Sequence, residues 1–149
     1  MTCEWEQYRE STKEEKEAVY SKTAFEYATN PKNLGEIEDA DGFASVTGPC
    51  DDTMQIWLKI NGGNVADAAF KTDGCGNAIA SCSMATEMCK GKIISDAKKI
   101  GQEDILAALD GLPEEGEHCA LLAANTLKAA IEDYLRIQTQ LLSGKYDKH

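Results

Sequence analysis

Three cysteines stand in three settings that suit soft-metal chemistry. Cys50 lies in Gly48-Pro49-Cys50-Asp51-Asp52, Cys75 lies in Gly74-Cys75-Gly76, and Cys119 directly follows His118. Each falls at a turn or a helix start, where a thiol is expected to be exposed and its thiolate stabilised. Three such thiolates with a neighbouring histidine or aspartate make a four-ligand site for a soft or borderline metal. The pattern argues for a metal or iron–sulfur site more than for a disulfide scaffold.

The glycines around Cys75 permit close approach of the backbone to a ligand. The helix expected after Gly76 points its unpaired N–H groups at this turn, which favours thiolate, sulfide or another anion there. His118 and Cys119 open a second expected helix and meet the same N-terminal field. Side chains of adjacent helical residues diverge, but at a helix start both can reach one site. Pro49 stiffens the loop that carries Cys50. The carboxylates of Asp51 and Asp52 oppose a thiolate at Cys50 unless a cation sits between them.

Cys82 and Cys89 follow Cys75 by seven and fourteen residues. Seven helical residues rise about 10 Å, whereas a zinc-bound sulfur sits about 2.3 Å from its ion. Cys82 therefore does not join Cys75 on one ion, and both Cys82 and Cys89 are read as small buried residues. Cys3, in a charged N-terminal segment, is read as incidental. The chain has no Cys-x-x-Cys, which removes zinc-ribbon and thioredoxin-type readings. The site must be assembled from distant segments by the fold.

The 149-residue chain suits one domain, with enough buried surface to dispense with disulfides. Its net charge is −11. That excludes the basic face a nucleic-acid partner would require. No run of about 18 apolar residues suggests a membrane span, and the polar N-terminus has no signal-type apolar core. The expectation is a cytoplasmic protein with mostly reduced thiols.

Pattern and period place the elements. Residues 1–19 form a charged arm, 20–142 a single domain and 143–149 a charged tail. A short helix is expected over 18–28, ending before Asn30-Pro31, followed by a loop over 31–42. Residues 43–47 read as a strand. Met54, Ile56, Leu58 and Ile60 alternate with polar or half-buried positions as a second. Asn61-Gly62-Gly63-Asn64 signals a hairpin into a third strand over 65–71. After Gly76 the period becomes helical, with Ala78, Ile79, Cys82, Ala85, Thr86 and Cys89 on one face. Gly91 ends that helix. Two short helices over 94–100 and 103–109 precede a long helix from about His118. Its apolar stripe is read as Leu121, Leu122, Leu127, Ile131, Tyr134, Leu135, Leu141 and Leu142. Strands first and helices afterwards make the class α+β, a small antiparallel three-stranded sheet packed against a C-terminal set of helices.

The segment FKTDGCGNAIASCSMATEMCKGK (70–92) resembles the signature of the NifU/IscU family of iron–sulfur cluster scaffold proteins. So do NPKNLGEIEDADG (30–42) and GLPEEGEHCALLAANTLKAAIEDY (111–134). The likeness covers roughly residues 20–136. The chain lacks the insertion between the second and third cysteines that marks the SufU-type zinc proteins. By position, Cys50, Cys75 and Cys119 match the three family cysteines, Asp52 the aspartate after the first and His118 the histidine before the third. The resemblance implies that these residues bind a [2Fe–2S] cluster or zinc, with Cys119 able to accept sulfur as a persulfide. Two positions depart from the pattern. Asp51 replaces a usual glycine, and Gly116 stands where many relatives carry a lysine within an LPPVK motif read by a chaperone.

The implied function is a scaffold, not an enzyme, that assembles a [2Fe–2S] cluster from Fe(II) and sulfane sulfur on Cys50, Cys75, Cys119 and either His118 or Asp52. The cluster then passes to apo acceptor proteins. A cysteine desulfurase is the implied sulfur source; an iron donor, a ferredoxin, a chaperone and a homodimer are further expectations of the resemblance. The rival readings are a zinc-binding sulfur acceptor of SufU type and a structural zinc module.

Overall fold

The computed structural model describes residues 20–49 and 51–142. The expected arm (1–19), the tail (143–149), Cys3 and Cys50 lie outside the described residues. The elements run α1 (Lys22–Thr29), β1 (Gly42–Thr47), β2 (Thr53–Asn61), β3 (Asn64–Thr72), α2 (Gly76–Cys89), α3 (Ile94–Ala97), α4 (Gln102–Ala108), a 3-10 turn (Glu114–Gly116) and α5 (Glu117–Leu142). The α+β order expected from the sequence is the observed one.

Ser21 caps α1, its hydroxyl accepting from the Ala24 N–H at 2.9 Å. The helix starts four residues later than its apolar pattern suggested, because the cap and not the pattern sets the first turn. The strands form an antiparallel meander in the order β1-β2-β3. Ile56 pairs with Ala44 on one side and with Phe70 on the other. The alternation in β2 sends Met54, Ile56 and Leu58 into the core, fully buried. Trp57, on the opposite face, stacks against Phe43 with ring centroids 5.0 Å apart. Gly62 and Gly63 both take positive φ in the β2–β3 turn (62° and 81°), as a tight hairpin demands.

The helices cover the inner face of the sheet. α5 packs on β1 and β2, and α2 is held between α1, β3 and α5. At the rim of the sheet, the Phe43 N–H donates to Asp133 Oδ2 of α5 at 3.0 Å. Eleven of the fourteen α2 residues are buried. The one-faced pattern read from the sequence is therefore incomplete: α2 is a central helix, apolar or small nearly all round. Its Ala, Ser, Cys and Gly side chains let neighbours approach on every side.

The stripe expected on α5 is partly corrected. Leu122, Leu127 and Ile131 are buried as read, but Leu121, Leu135, Leu141 and Leu142 are exposed. The buried face is instead filled in by Cys119, Ala120, Ala123, Ala124, Thr126, Ala130 and Ile137. Size misleads here, because the close packing of α5 on α2 and the sheet selects small residues and leaves leucines at the margin.

Candidate metal centre

The centre is built where three loop-to-element junctions converge. The first is the five-residue turn between β1 and β2. Its N–H···O bonds run from Asp51 to Gly48 O (3.1 Å) and from Gly48 to Asp52 O (2.9 Å), tying Asp51 and Asp52 back to Gly48. Asp51 takes φ 65°, a left-handed conformation. Asp and Asn tolerate that region better than other non-glycine residues. The departure from the family glycine at Asp51 thus keeps the backbone shape a glycine would adopt, and its side chain is exposed.

The second junction is the start of α2. Cys75 is its N-cap residue, and the Cys75 carbonyl accepts the first helical bond from Ile79 N–H at 2.9 Å. Gly74 lies against the first junction. A Cβ placed there would fall 2.6 Å from Ala78 Cβ and 3.2 Å from Asp52 Oδ2. Glycine is required by this close approach, which brings the Asp52 carboxylate to the mouth of α2. The sequence reading assigned the flanking glycines to ligand access; the structure gives Gly74 a packing role against a candidate ligand.

The third junction is the start of α5. His118 Nε2 and Cys119 Sγ approach to 3.7 Å, so the two neighbouring residues do reach one place, as expected at a helix start. Ligand atoms of Asp52, His118 and Cys119 all lie within 4.8 Å of one another. Ligands on one tetrahedral ion at about 2.0–2.3 Å sit roughly 3.5–4 Å apart, so this trio needs only small side-chain adjustments to share an ion. The donor set mixes a hard carboxylate, an imidazole and a thiol, which suits iron or zinc and not an all-oxygen cation site.

Two expectations need revision. Cys119 is not exposed but fully buried, while Asp52 and His118 are partly exposed. The long helix turns its third residue, Cys119, inward and leaves Glu117 exposed and His118 half-open, so solvent reaches the site past the carboxylate and the imidazole. Cys75 is disulfide-bonded instead of being a free thiol, whereas Cys82, Cys89 and Cys119 are free. Cys75 becomes available as a ligand only once that bond is reduced.

Cys82 and Cys89 are fully buried, as read from the sequence. Burial pushes the Cys82 thiol strongly up, and the neighbouring Cys119 adds to the shift. Burial likewise pushes the Cys89 thiol up to about 12. Without a metal, burial thus favours the protonated thiol in both.

Sequence reasoning missed one neighbour of the site. Asn77, in the first turn of α2, is fully buried beneath Gly116. A Cβ at 116 would fall 2.5 Å from both Asn77 Nδ2 and Oδ1. Gly116 was visible as a departure from the family pattern; its partner was not, because 39 residues separate them.

Comparison with known proteins shows the family. The model of the NifU-like N-terminal domain matches residues 19–141. The iron-sulfur cluster assembly scaffold protein IscU 1 of Archaeoglobus fulgidus is 47% identical over 131 residues, spanning 87% of this chain and 82% of its own. The Escherichia coli scaffold protein IscU is 42% identical over 121 residues, 78% of this chain and 94% of its own. The Drosophila melanogaster relative, 43% identical over 122 residues and covering 78% of this chain and 79% of its own, is named an iron-sulfur cluster assembly enzyme. Among solved structures, the N-terminal part of a NifU-like protein from Brucella abortus superposes with a TM-score of 0.64 at 21% identity, covering 80% of this chain and 96% of that one, which bears on the fold alone. The three junctions that carry Asp52, Cys75, His118 and Cys119 all fall inside the matched residues, and the chain belongs to the NifU-like N-terminal domain family.

Proposed function

We propose that this protein is a scaffold on which an iron–sulfur cluster is assembled and from which it is handed to acceptor proteins. The observation that carries the reading is the convergence of Asp52, His118 and Cys119 within 4.8 Å at the mouth of α2, where Asp52 lies against Gly74, the residue before Cys75. The relatives' names as scaffold proteins support the same role. The cargo is a [2Fe–2S] cluster, with Cys50, Cys75 and Cys119 as thiolate ligands and Asp52 or His118 completing the set. The protein holds and releases its cargo and transforms no small-molecule substrate. Cysteine desulfurase supplies the sulfur, and Cys119 receives it as a persulfide.

The chemistry of the donor set fits a carrier. Thiolates bind iron firmly, whereas a carboxylate that is partly exposed exchanges with water. Asp52 therefore keeps one corner of the cargo labile. The burial of Cys119 shields the sulfur-bearing ligand, and the half-open His118–Asp52 side is where an acceptor approaches.

The test is direct. Protein reduced and purified without oxygen is supplied with Fe(II), cysteine, a cysteine desulfurase and excess dithiol, which provides the electrons that reduce sulfane sulfur to sulfide, then analysed for iron, acid-labile sulfide and zinc. Iron and sulfide in equal amounts, lost in Cys75→Ala, are expected. Retained zinc with no sulfide would replace this reading by that of a zinc-binding sulfur acceptor. A neighbour described as a putative scaffold of the SUF system, from Fervidobacterium islandicum, shares the fold at a TM-score of 0.64 and 21% identity.

A further inference from the structure

Buried polar side chains in this protein normally have partners. Ser83 Oγ accepts from Lys32 N–H at 2.7 Å. Thr86 Oγ1 donates to Cys82 O at 2.8 Å and Thr126 Oγ1 to Leu122 O at 2.8 Å. Asn77 breaks the rule. Its side chain is fully buried, and neither Nδ2 nor Oδ1 has a hydrogen-bond partner among the described residues. Ser81, one helical turn further along α2, is also buried with an unpartnered Oγ. Burying an amide with both ends unpaired is destabilising, so such a group in a native interior calls for a partner from outside the chain, an ordered water or a bound group.

The position of Asn77 says what that partner is. It is the second residue of α2, a helix of fourteen residues whose N-cap, Cys75, makes no side-chain capping bond. This end of the helix favours an anion. Asn77 also sits face-on to Gly116, two residues before His118 and three before Cys119. It is thus wedged between the segment bearing Cys75 and the segment bearing His118 and Cys119. The anionic species expected between those segments is the sulfur-rich cargo, and hydrogen bonds to cluster sulfurs tune its potential and stability.

We propose that Asn77 is a positioning residue for the cluster, its Nδ2 donating a hydrogen bond to a cluster sulfur. Gly116 is its counterpart. Any Cβ at 116 would drive into the amide, so the absence of a side chain there keeps Asn77 in its seat. The lysine that many relatives carry at this position is incompatible with Asn77 as placed.

The inference rests on the scaffold reading, and its test separates the two. Clusters are assembled on wild type, Asn77→Ala, Gly116→Ala and the double variant. Reduction potential, visible circular dichroism and the half-life of the cluster under a chelator are then compared. Asn77→Ala is expected to shift the potential to more negative values and to shorten the half-life roughly ten-fold, in the range typical of groups that support metal ligands. Gly116→Ala is expected to do the same by displacing the amide. The double variant relieves the clash, so its thermal stability should recover relative to Gly116→Ala while potential and half-life stay altered. If the double variant instead regains the wild-type potential and half-life, Asn77 only fills space and the proposal fails. A wild-type signature in Asn77→Ala sinks it as well. Should Asn77→Ala not fold, Asn77→Ser, whose hydroxyl is too short to reach as far, is read the same way. No cluster on the wild type would overturn the scaffold reading and this inference together.

Discussion

The two ends of α2 carry the same element, sulfur, in opposite circumstances. At its start, Cys75 is the N-cap residue, and the neighbouring Gly74 lies against Asp52, which itself converges with His118 and Cys119. In its body, Cys82 and Cys89 are buried to 0% exposure among apolar neighbours. The first sulfur stands at a helix N-terminus, whereas burial desolvates the thiols of the second set and raises their pKa. Chemistry follows environment here and not residue type. Cys119 is instructive because it is as buried as Cys82, yet it has an imidazole at 3.7 Å and a carboxylate within reach.

The comparison breaks most visibly on the first set. Cys119→Ser should reduce iron and sulfide uptake to background while leaving the far-ultraviolet circular dichroism unchanged. If the variant loads normally, the front of α2 is not the binding end. Asp52→Ala should leave a cluster that assembles but moves several-fold more slowly to an apo acceptor, since a water-exchangeable ligand is lost. Faster transfer in that variant would contradict the labilising role of Asp52.

The second set should respond in stability and not in loading. Cys82→Ala removes one buried sulfur and is expected to lower the unfolding free energy by about 1–2 kcal/mol, the order for a small core truncation. Chemical denaturation measures it, and iron and sulfide content should match the wild type.

The raised thiol pKa values give a further, pH-dependent expectation. Cys82 and Cys89 both have folded pKa values above the unfolded ones, so the protonated native form is favoured. Their stabilising contribution is fully present below the unfolded thiol pKa of about 8.5. It is lost as the pH rises from there toward the folded value, which is about 12 for Cys89. Each thiol should add about 1 kcal/mol per pH unit to the alkaline loss of stability in that window. Denaturation curves of Cys89→Ala against pH from 8 to 10.5 (about the accessible range) should be correspondingly flatter.

The smallest effect is expected at the exposed end of the same helix. The hydrogen bond from Asn33, assisted by Lys90, holds the Glu87 carboxyl below its usual value. Its contribution is present above the unfolded carboxyl pKa and fades as pH falls through the folded one. Because Glu87 is exposed, Glu87→Gln should change stability at neutral pH by no more than about 0.5 kcal/mol. A larger loss in thermal unfolding would show that this edge is more tightly coupled to the core than its exposure suggests.

Much of the molecule can be read in one dimension. The alternation Met54, Ile56, Leu58 announces β2, and Asn61-Gly62-Gly63-Asn64 announces its turn, because side-chain direction and turn geometry depend on neighbours in sequence. Gly74-Cys75-Gly76 marks a helix start, and His118-Cys119 marks two donors at another. The segment strings carry the family. The leucine-weighted stripe of α5 fails for a matching reason: it ranks residues by hydrophobicity, whereas the packed interface selects alanine and cysteine by volume.

What the chain by itself determined is thus the order of elements and which candidate donors stand at turns and helix starts. Tertiary structure alone decided that Asp52 comes to rest against Gly74, that Cys119 is buried while its histidine is half open, and that Asn77 lies beneath Gly116 without a partner among the described residues. The physical reason is that exposure and convergence belong to pairs of surfaces packed at atomic contact. Those pairs are separated here by 22 residues for Asp52 and Gly74 and by 39 for Asn77 and Gly116. Local pattern sets which groups are offered, and close packing sets which of them meet.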